Sequence, residues 1–556
     1  MEARGIKHQR DEPAWNDGQL VLHLNVPSPG QPALQLVAQY PDLYPYTRFE
    51  VFAAGLALPR HQHPFGKNLC LMGRASINWS TDDTLGEVLE AQLPKILRFA
   101  TEDAAALRGL EEQQGEPISE FYAYHADTAV LVDSTWRIDP KAKSGRLKLR
   151  FSSSLPFRGA VTALLNAQGQ ELVGAPAAFS RLFSRPARGR WIRFAEPILE
   201  TEPRRLLAKL APHIPELLHT KLSGKRALEA GEPEVLGVLF PEEVGQGTYG
   251  EGWIFLVRTK EGWHLARACR AGRVDMGSRS PELATLPEKS VTAVGLGSVG
   301  APCAIGLARH GIGLLKLLDY DFVEAGTGVR WPLGLAVAGL SKVDSLANYI
   351  GEQYPYTILE RHLGMIGGAH RAPAPHYCDW RDFEGLFSTD LLLECTAEVG
   401  ISLLLADAAA ENQVPYICAS ATPGGWGGLV FRQLPGAEQA CWSCLRHAMT
   451  DGIVPSPPQD KQGNLQPVGC ANPTFTGAGA DVEQVSLMAV RMALSTLCRG
   501  AVNGYPDISW NVAVLSLRSE TGVLLAPQWN TMTVRRHPEC RNHRAHGNDL
   551  VTRKAA

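Results

Sequence analysis

Apolar and polar residues alternate in three stretches near the start of the chain, "QLVLHLNVP", "ALQLVAQYP" and "TRFEVFAAG". A period of two turns one face of a strand to a core and the other to water, so these stretches predict a strand meander. The period then lengthens. In "TDDTLGEVLEAQLPKILRF", Leu85, Val88, Leu89 and Leu93 fall on one side of a helix that Thr81 or Asp82 can cap. Residues 109–280 mix the two signals: "TAVLVDS", "GRLKLRFSS", "GRWIRFAE", "EVLGVLFPEE" and "EGWIFLVRT" read as strands, "EPRRLLAKLAPHIPELLHTKL" as a helix. From about residue 281 the strands lose their polar alternation. "KSVTAVGLGSVGAPCAIGLARHGIGLLKLLDYDFVE" is an apolar strand, a glycine turn, an amphipathic helix and a second apolar strand, a βαβ unit of a parallel sheet. "DLLLECTA", the helix "ISLLLADAAAENQ" and "VPYICAS" extend it. The pattern predicts three regions: an α+β domain over 1–108, a mixed α/β linker domain over 109–280, and a doubly wound Rossmann-like α/β domain over 281–556.

Composition sharpens this only in places. At 556 residues the chain exceeds what one core can bury, which agrees with several domains. The net charge of -3 gives no reason to propose a nucleic acid partner. No apolar run reaches the ~18 residues of a membrane span, and the polar start is no signal peptide. Eleven cysteines, an odd number without a secretory signal, point to a reducing cytoplasm where thiols serve as nucleophiles, ligands or core filler.

Three groups of residues carry candidate chemistry. In "GLGSVG", Gly295, Gly297 and Gly300 let backbone N–H groups approach a phosphate at a helix N-terminus. Asp319 ends the next strand, where it can hold ribose hydroxyls. A dehydrogenase shares these features. Arg330 and Lys342 follow, and two cations suit a triphosphate that is cleaved better than a dinucleotide that is held. "CWSC" and "HPECRNH" supply Cys441, Cys444, Cys540 and His543, two pairs with the spacing of a closed tetrahedral Zn²⁺ site. A redox CxxC would explain only the first pair. Cys470 sits among polar residues just before a helix start near Asp481, a setting that favours thiolate, while Cys303, Cys395, Cys418 and Cys498 sit in apolar elements and read as packing. Cys70, in "HPFGKNLCL", lies between two leucines and by itself reads as buried.

In this order the motifs "GLGSVG", "LLDYD", Arg330 and "GLSK" resemble the ThiF-type adenylating enzymes, which include the activating enzymes of ubiquitin-like proteins. The resemblance spans roughly 281–545 and implies ATP and Mg²⁺ as ligands, with Asp319 and Asp321 in the acidic strand and Lys342 in the following helix. It differs at Thr327, where the family has Asn, and at Ala397, where the family has its magnesium-binding Asp. Glu398 is expected to supply that carboxylate. Arg279 occupies a position that in the family reaches the phosphates, sometimes from a partner subunit, and a homodimer is implied. As in activating enzymes of the autophagy type, Cys470 would accept the ubiquitin-like protein as a thioester. Tyr40-Pro41, Pro45, His63-Pro64, Cys70, Trp79 and the helix after it resemble ubiquitin-conjugating enzymes over about 18–100. Phe65 stands where that family has an Asn for the oxyanion, and the N-terminal helix is missing. Asn68 or backbone N–H groups would serve the oxyanion, and His61 or His63 the proton. Together the two resemblances suggest a bacterial conjugating–activating fusion, similar to those of antiphage defence operons of the CBASS type. It would join a ubiquitin-like modifier to a target protein. A sulfur-carrier adenylating enzyme, a nicotinamide-dependent oxidoreductase and a degenerate scaffold are the other readings.

Overall fold

The computed structural model describes the chain apart from residues 2–3, 29–30, 59, 74–77, 102–114, 127, 153–157, 215–233, 246–247, 260–261, 368–377, 379, 437, 467–473 and 545–556. Two compact units emerge, one of Met1–Ala175 with Phe183–Arg270, the other of Pro176–Leu182 with Ala271–Ala556.

The first unit begins with an antiparallel sheet in the order β1-β2-β3-β4: Lys7–Arg10, Leu20–Ser28, Gln31–Tyr40 and Glu50–Phe52. The alternation foretold β2 to β4. All four residues of β1 are exposed, so it carries no such signal. A single exposed turn of helix, Glu12–Asn16, lies between β1 and β2. Leu24, Leu36 and Val51 of the sheet pack against Leu85, Val88, Leu89 and Leu93 of the helix Leu85–Thr101. That helix is capped by Thr84, not by Thr81 or Asp82. Thr84 Oγ1 accepts from Glu87 N at 3.4 Å and Glu87 Oε2 accepts from Thr84 N at 3.3 Å, a reciprocal capping box. The acid before it, Asp83, is used in the preceding turn, accepting from Ser80 N at 2.7 Å.

The rest of this unit is mainly β, where the pattern suggested a mixture. Strands β5 to β12 are Ala129–Val132, Ser144–Phe151, Arg158–Asn166, Glu171–Gly174, Arg185–Arg193, Val235–Gly245, Thr248–Arg258 and Trp263–Arg270. They pair in the order β5-β12-β11-β10-β9-β6-β7-β8, and β5 also pairs with β7, which closes a barrel with β8 on its edge. Leu147, Phe151, Trp191, Trp253 and Phe255 fill the interior. On the outside, Leu236, Val238, Ile254 and Leu256 are covered by Leu206, Leu207 and Leu210 of the helix Pro203–Leu210. Strands apolar on both faces hide the alternation that would have marked them as a barrel.

The second unit is a three-layer α/β structure, as expected. Its sheet runs β15-β14-β13-β16-β17-β18-β21-β22. β13 Ser290–Val294, β14 Leu314–Asp319, β15 Ile358–Leu363, β16 Leu391–Glu394 and β17 Tyr416–Ala421 are parallel. β18 Gly427–Gln433, β21 Val512–Arg518 and β22 Leu524–Met532 continue antiparallel. Helices Gly300–Arg309, Lys342–Gln353 and Gly479–Leu497 bury one face, and Val399–Glu411 with Trp442–Thr450 the other. A small hairpin, β19 Asn464–Leu465 with β20 Thr474–Phe475, brackets residues 467–473. Among the described residues no helix is long and apolar enough to cross a membrane.

Candidate active site and metal centre

The three glycines follow β13 at the C-terminal edge of the parallel sheet, and each is there for its own reason. Gly295 has φ +82, where a side chain is strained, and a Cβ would stand 2.8 Å from the backbone of Cys395. A Cβ on Gly300 would stand 1.8 Å from Gly295 O, so the helix can begin this close only with glycine. At Gly297 nothing lies within 4 Å of the Cβ position; that side of the turn is open to a ligand. Two buried side chains fix the loop. Asp319 Oδ2 accepts from Leu296 N at 2.6 Å, and Trp331 Nε1 donates to Leu296 O at 2.8 Å. Asp319 Oδ1 accepts from Asp321 N at 2.9 Å, so both its oxygens already hold backbone.

Asp321 in turn forms an ion pair with Lys342 Nζ at 2.5 Å. Lys342 opens a helix capped by Ser341, whose Oγ accepts from Asp344 N at 3.2 Å. Leu296 in the glycine turn, Asp319, Asp321 and Lys342 are thereby linked through one run of hydrogen bonds. Arg330 joins the crossover instead: it donates to Thr474 Oγ1 at 2.7 Å and to Phe475 O, and its guanidinium lies 4.5 Å from the Phe475 ring centre. Its Nε is buried without a partner, and burial lowers its pKa from the ordinary arginine value. Arg330 thus holds the strand that directly follows residues 467–473. Cys470 is among those residues and lies outside the described part of the chain. Arg279 is exposed and makes no ion pair among the described residues.

Beyond β16, Ala397 has φ +58, a left-handed conformation that costs an alanine roughly 1 kcal/mol. Glu398 is exposed at the N-terminus of the helix Val399–Glu411. Glu394 is the acid that sequence reasoning passed over. It is buried, and its carboxylate accepts from Thr396 N and Oγ1 at 2.6 and 2.5 Å and from Ser402 Oγ and Tyr416 OH at 2.8 and 2.9 Å. Such an acid is a fixed strut. Ala397 and Glu394 also border a cavity of about 150 Å³ that Trp442, Arg446 and Ser420 help to line.

Cys441, Cys444, Cys540 and His543 come together as their spacing predicts, with ligand atoms all within 4.8 Å of one another. The sulfurs of Cys441 and Cys540 are 3.5 Å apart, and Cys444 Sγ is 3.2 Å from His543 Nδ1. The Cys441 thiol donates to Cys444, which lowers the Cys444 pKa and raises that of Cys441. The backbone N–H of His537 also points at Cys444 Sγ, at 3.3 Å. Three cysteines and one histidine, crowded in a buried place with N–H groups aimed at sulfur, suit a tetrahedral thiolate-bound cation such as Zn²⁺. Four other thiols of this unit pack in apolar surroundings: Cys303 and Cys498 are buried, Cys418 is pushed up by burial, and Cys395 by its contact with Cys303 and by burial.

In the first unit Cys70 is exposed, because Leu69 and Leu71 on either side point into the core. Its N–H donates to His61 O at 2.8 Å. His61 has φ +59, and Glu116 holds it there by accepting from its N–H with both oxygens at 3.1 and 3.0 Å. Glu116 N donates to Glu243 Oε2 at 3.1 Å, and Glu243 pairs with Arg60 at 2.5 Å. His63 Nδ1 accepts from Gly66 N and Phe65 N at 2.9 and 3.2 Å, so that nitrogen is used by the turn. Phe65 packs edge-on against Tyr122 at 5.2 Å and His63 against Phe121 at 5.1 Å. The barrel therefore buttresses the cysteine turn, and Phe65 is an anchor to it.

Comparison with known proteins agrees with this geometry. The ThiF family model matches residues 275–542. "Uncharacterized protein y4oA" of Sinorhizobium fredii is 29% identical over 94% of this chain and 92% of its own length. "Adenylyltransferase and sulfurtransferase MOCS3" of Drosophila willistoni is 30% identical over 31% of this chain, a match that spans 34% of the fly protein. The crystal structure of E. coli MccB aligns with 50% of this chain and 70% of its own at 14% identity and a TM-score of 0.36. Residues 275–542 form a ThiF-family domain.

Proposed function

We propose that this chain uses ATP to activate the C-terminal carboxylate of a ubiquitin-like protein and passes the acyl group through its own cysteines to an amine on a target protein. The observation that carries the reading is the open cradle at Gly297, tied through Asp319 and Asp321 to Lys342, inside a ThiF-family domain. A carboxylate oxygen attacks the α-phosphorus, the bond to the β-phosphate breaks and pyrophosphate leaves. Backbone N–H groups of the glycine turn, Lys342 and Arg330 balance the phosphate charge. Arg279 is a further cation for that charge. Asp319 keeps the cradle in shape and retains lone pairs for ribose. Glu398 is the carboxylate placed to hold Mg²⁺, whose chemistry is to screen the phosphates. The cavity beside Ala397 gives a narrow tail room to enter.

The Cys470 thiolate then attacks the acyl-adenylate and AMP leaves. Cys70 attacks that thioester and releases Cys470; the target amine takes the acyl group and releases Cys70. Each step replaces one difficult transfer by an easier one. The exposed Cys70 on a buttressed turn supports its role. Cys441, Cys444, Cys540 and His543 would hold Zn²⁺ in a structural role. The likeness to antiphage fusions extends the reading to defence.

The name of the fly relative favours a second reading, in which the adenylate serves sulfur transfer. One experiment separates them: the chain is incubated with Mg·ATP and a carrier ending in glycine, trapped, and both cysteines are weighed by mass spectrometry. Acyl groups on Cys470 and Cys70, the second lost in Cys470→Ala, are expected. Pyrophosphate release with neither sulfur acylated supports the sulfur-carrier reading. Absence of pyrophosphate release with the cognate carrier contradicts both.

A further inference from the structure

The end of β16 leads from the glycine turn into the cavity that Ala397 borders. A Cβ on Gly295 would stand 2.8 Å from Cys395 C and from Thr396 N, so this strand end lies directly against the turn, and Ala397 is the next residue. Its left-handed backbone, at φ +58, is local strain of the kind that collects where a ligand is gripped. The cavity measures about 150 Å³. Ser420 of β17 and its cross-strand partner Leu429 of β18 form one wall, and Trp442, Leu445 and Met449 of the helix Trp442–Thr450 form another. Leu429, Trp442 and Leu445 belong to the buried core, so packing sets the shape of these walls before any ligand arrives. Arg446 also lines the cavity; it is exposed, with its guanidinium 5.5 Å from the Trp442 ring centre. Apolar surface continues outside. Val399, a lining residue, is 53% exposed, and Leu403, one turn further along the same face of its helix, is 38% exposed.

We propose that this cavity takes one apolar side chain, of leucine or phenylalanine size, from the C-terminal tail of the ubiquitin-like protein, and so selects which proteins are activated. The inference rests on the adenylating reading above. Size supports it. An apolar cavity of about 150 Å³ holds a benzene ring, so a phenylalanine side chain fills this one and an indole exceeds it. Position supports it too. The carboxylate to be activated has to reach the glycine turn, and the cavity begins one residue beyond the strand end that touches Gly295. Side chains on one face of an extended chain recur about every 7 Å, so a tail that runs past Ala397 brings one of its last few side chains to the cavity. A free small molecule is the other candidate occupant. It would leave the exposed row of Val399 and Leu403 uncovered, whereas a tail continues over it behind its anchoring side chain. The Arg446 guanidinium can donate to a carbonyl of that trailing chain.

The test is isothermal titration of the full chain, with Mg²⁺ and a non-hydrolysable ATP analogue present. The probes are short N-acetylated alanine peptides that end in glycine and carry leucine, phenylalanine or tryptophan at each preceding position in turn. At one position leucine or phenylalanine should bind about thirtyfold more tightly than alanine, and tryptophan should lose that advantage. Met449→Trp narrows the cavity and should cut the preference to about threefold or less. Met449→Ala widens it and should move the preference to tryptophan, an exchange that simple loss of structure does not produce. Both variants should keep the parental stabilisation by Mg·ATP, since Met449 lies away from the glycine turn. Equal affinity for all residues at every position, no measurable binding of any peptide, or a preference that neither Met449 variant alters would each overturn the inference. Peptides that bind with the expected pattern in the presence of the analogue, yet release no pyrophosphate with Mg·ATP, would support the cavity as a tail site and contradict the adenylating reading.

Discussion

Two turns in this chain carry candidate chemistry, and they are held in opposite ways. The glycine turn after β13 is fixed by its own neighbourhood: Asp319 at the end of β14 and Trp331 in the segment after it bond Leu296 from 23 and 35 residues away. The turn before Cys70 is fixed from a distance. Glu116 is 55 residues from His61, and Glu243 is 183 residues from Arg60. The first turn uses glycine to reach a left-handed conformation; the second forces His61 and Lys67 into it. A phosphate cradle can be built once and reused as a local unit, while an exposed thiol needs a surface brought from elsewhere to steady it.

The largest effect that tests this contrast should come from Gly300→Ala. Its Cβ would meet a backbone oxygen, which no rotamer relieves, so a loss of more than about 4 kcal/mol in a denaturant melt is expected. A variant of parental stability would show that the glycine turn is soft. Phe65→Ala comes next. It removes the ring from its contact with Tyr122, and about 2 kcal/mol should be lost from the first unit while nucleotide affinity stays unchanged. No change in that melt would show that the barrel does not support the cysteine turn. Trp331→Phe keeps the ring but leaves Leu296 O without its donor, which should cost roughly 1 kcal/mol and weaken ATP binding. If affinity held, the pin would be irrelevant to the cradle. Smallest for the fold is Gly297→Ala, within about 0.5 kcal/mol because its Cβ points into open space, yet it should abolish nucleotide binding.

The same contrast explains what could be read from the sequence. The α/β unit was legible because its apolar strands and its glycines are local signals, and the Cys441/Cys444 and Cys540/His543 pairs announce their own meeting. Trp331 and Glu394 were missed although both sit within the motifs: nothing in a sequence says that a tryptophan will bond a turn or that an acid will turn inward to Ser402 and Tyr416. The barrel was hidden because strands such as β10 and β11 are apolar on both faces. Phe65 read as a lost catalytic Asn, and its contact with Tyr122 gives the residue a purpose that only the fold reveals.

The central claim is that the Gly297 cradle holds a triphosphate, and the thermal midpoint of the second unit in the presence of ligand tests it most directly. Mg·ATP at about one hundred times its dissociation constant should stabilise the parent by about 2.7 kcal/mol, NADH should do nothing, and Gly297→Ala should lose the ATP shift. A shift with NADH and none with Mg·ATP would contradict the account.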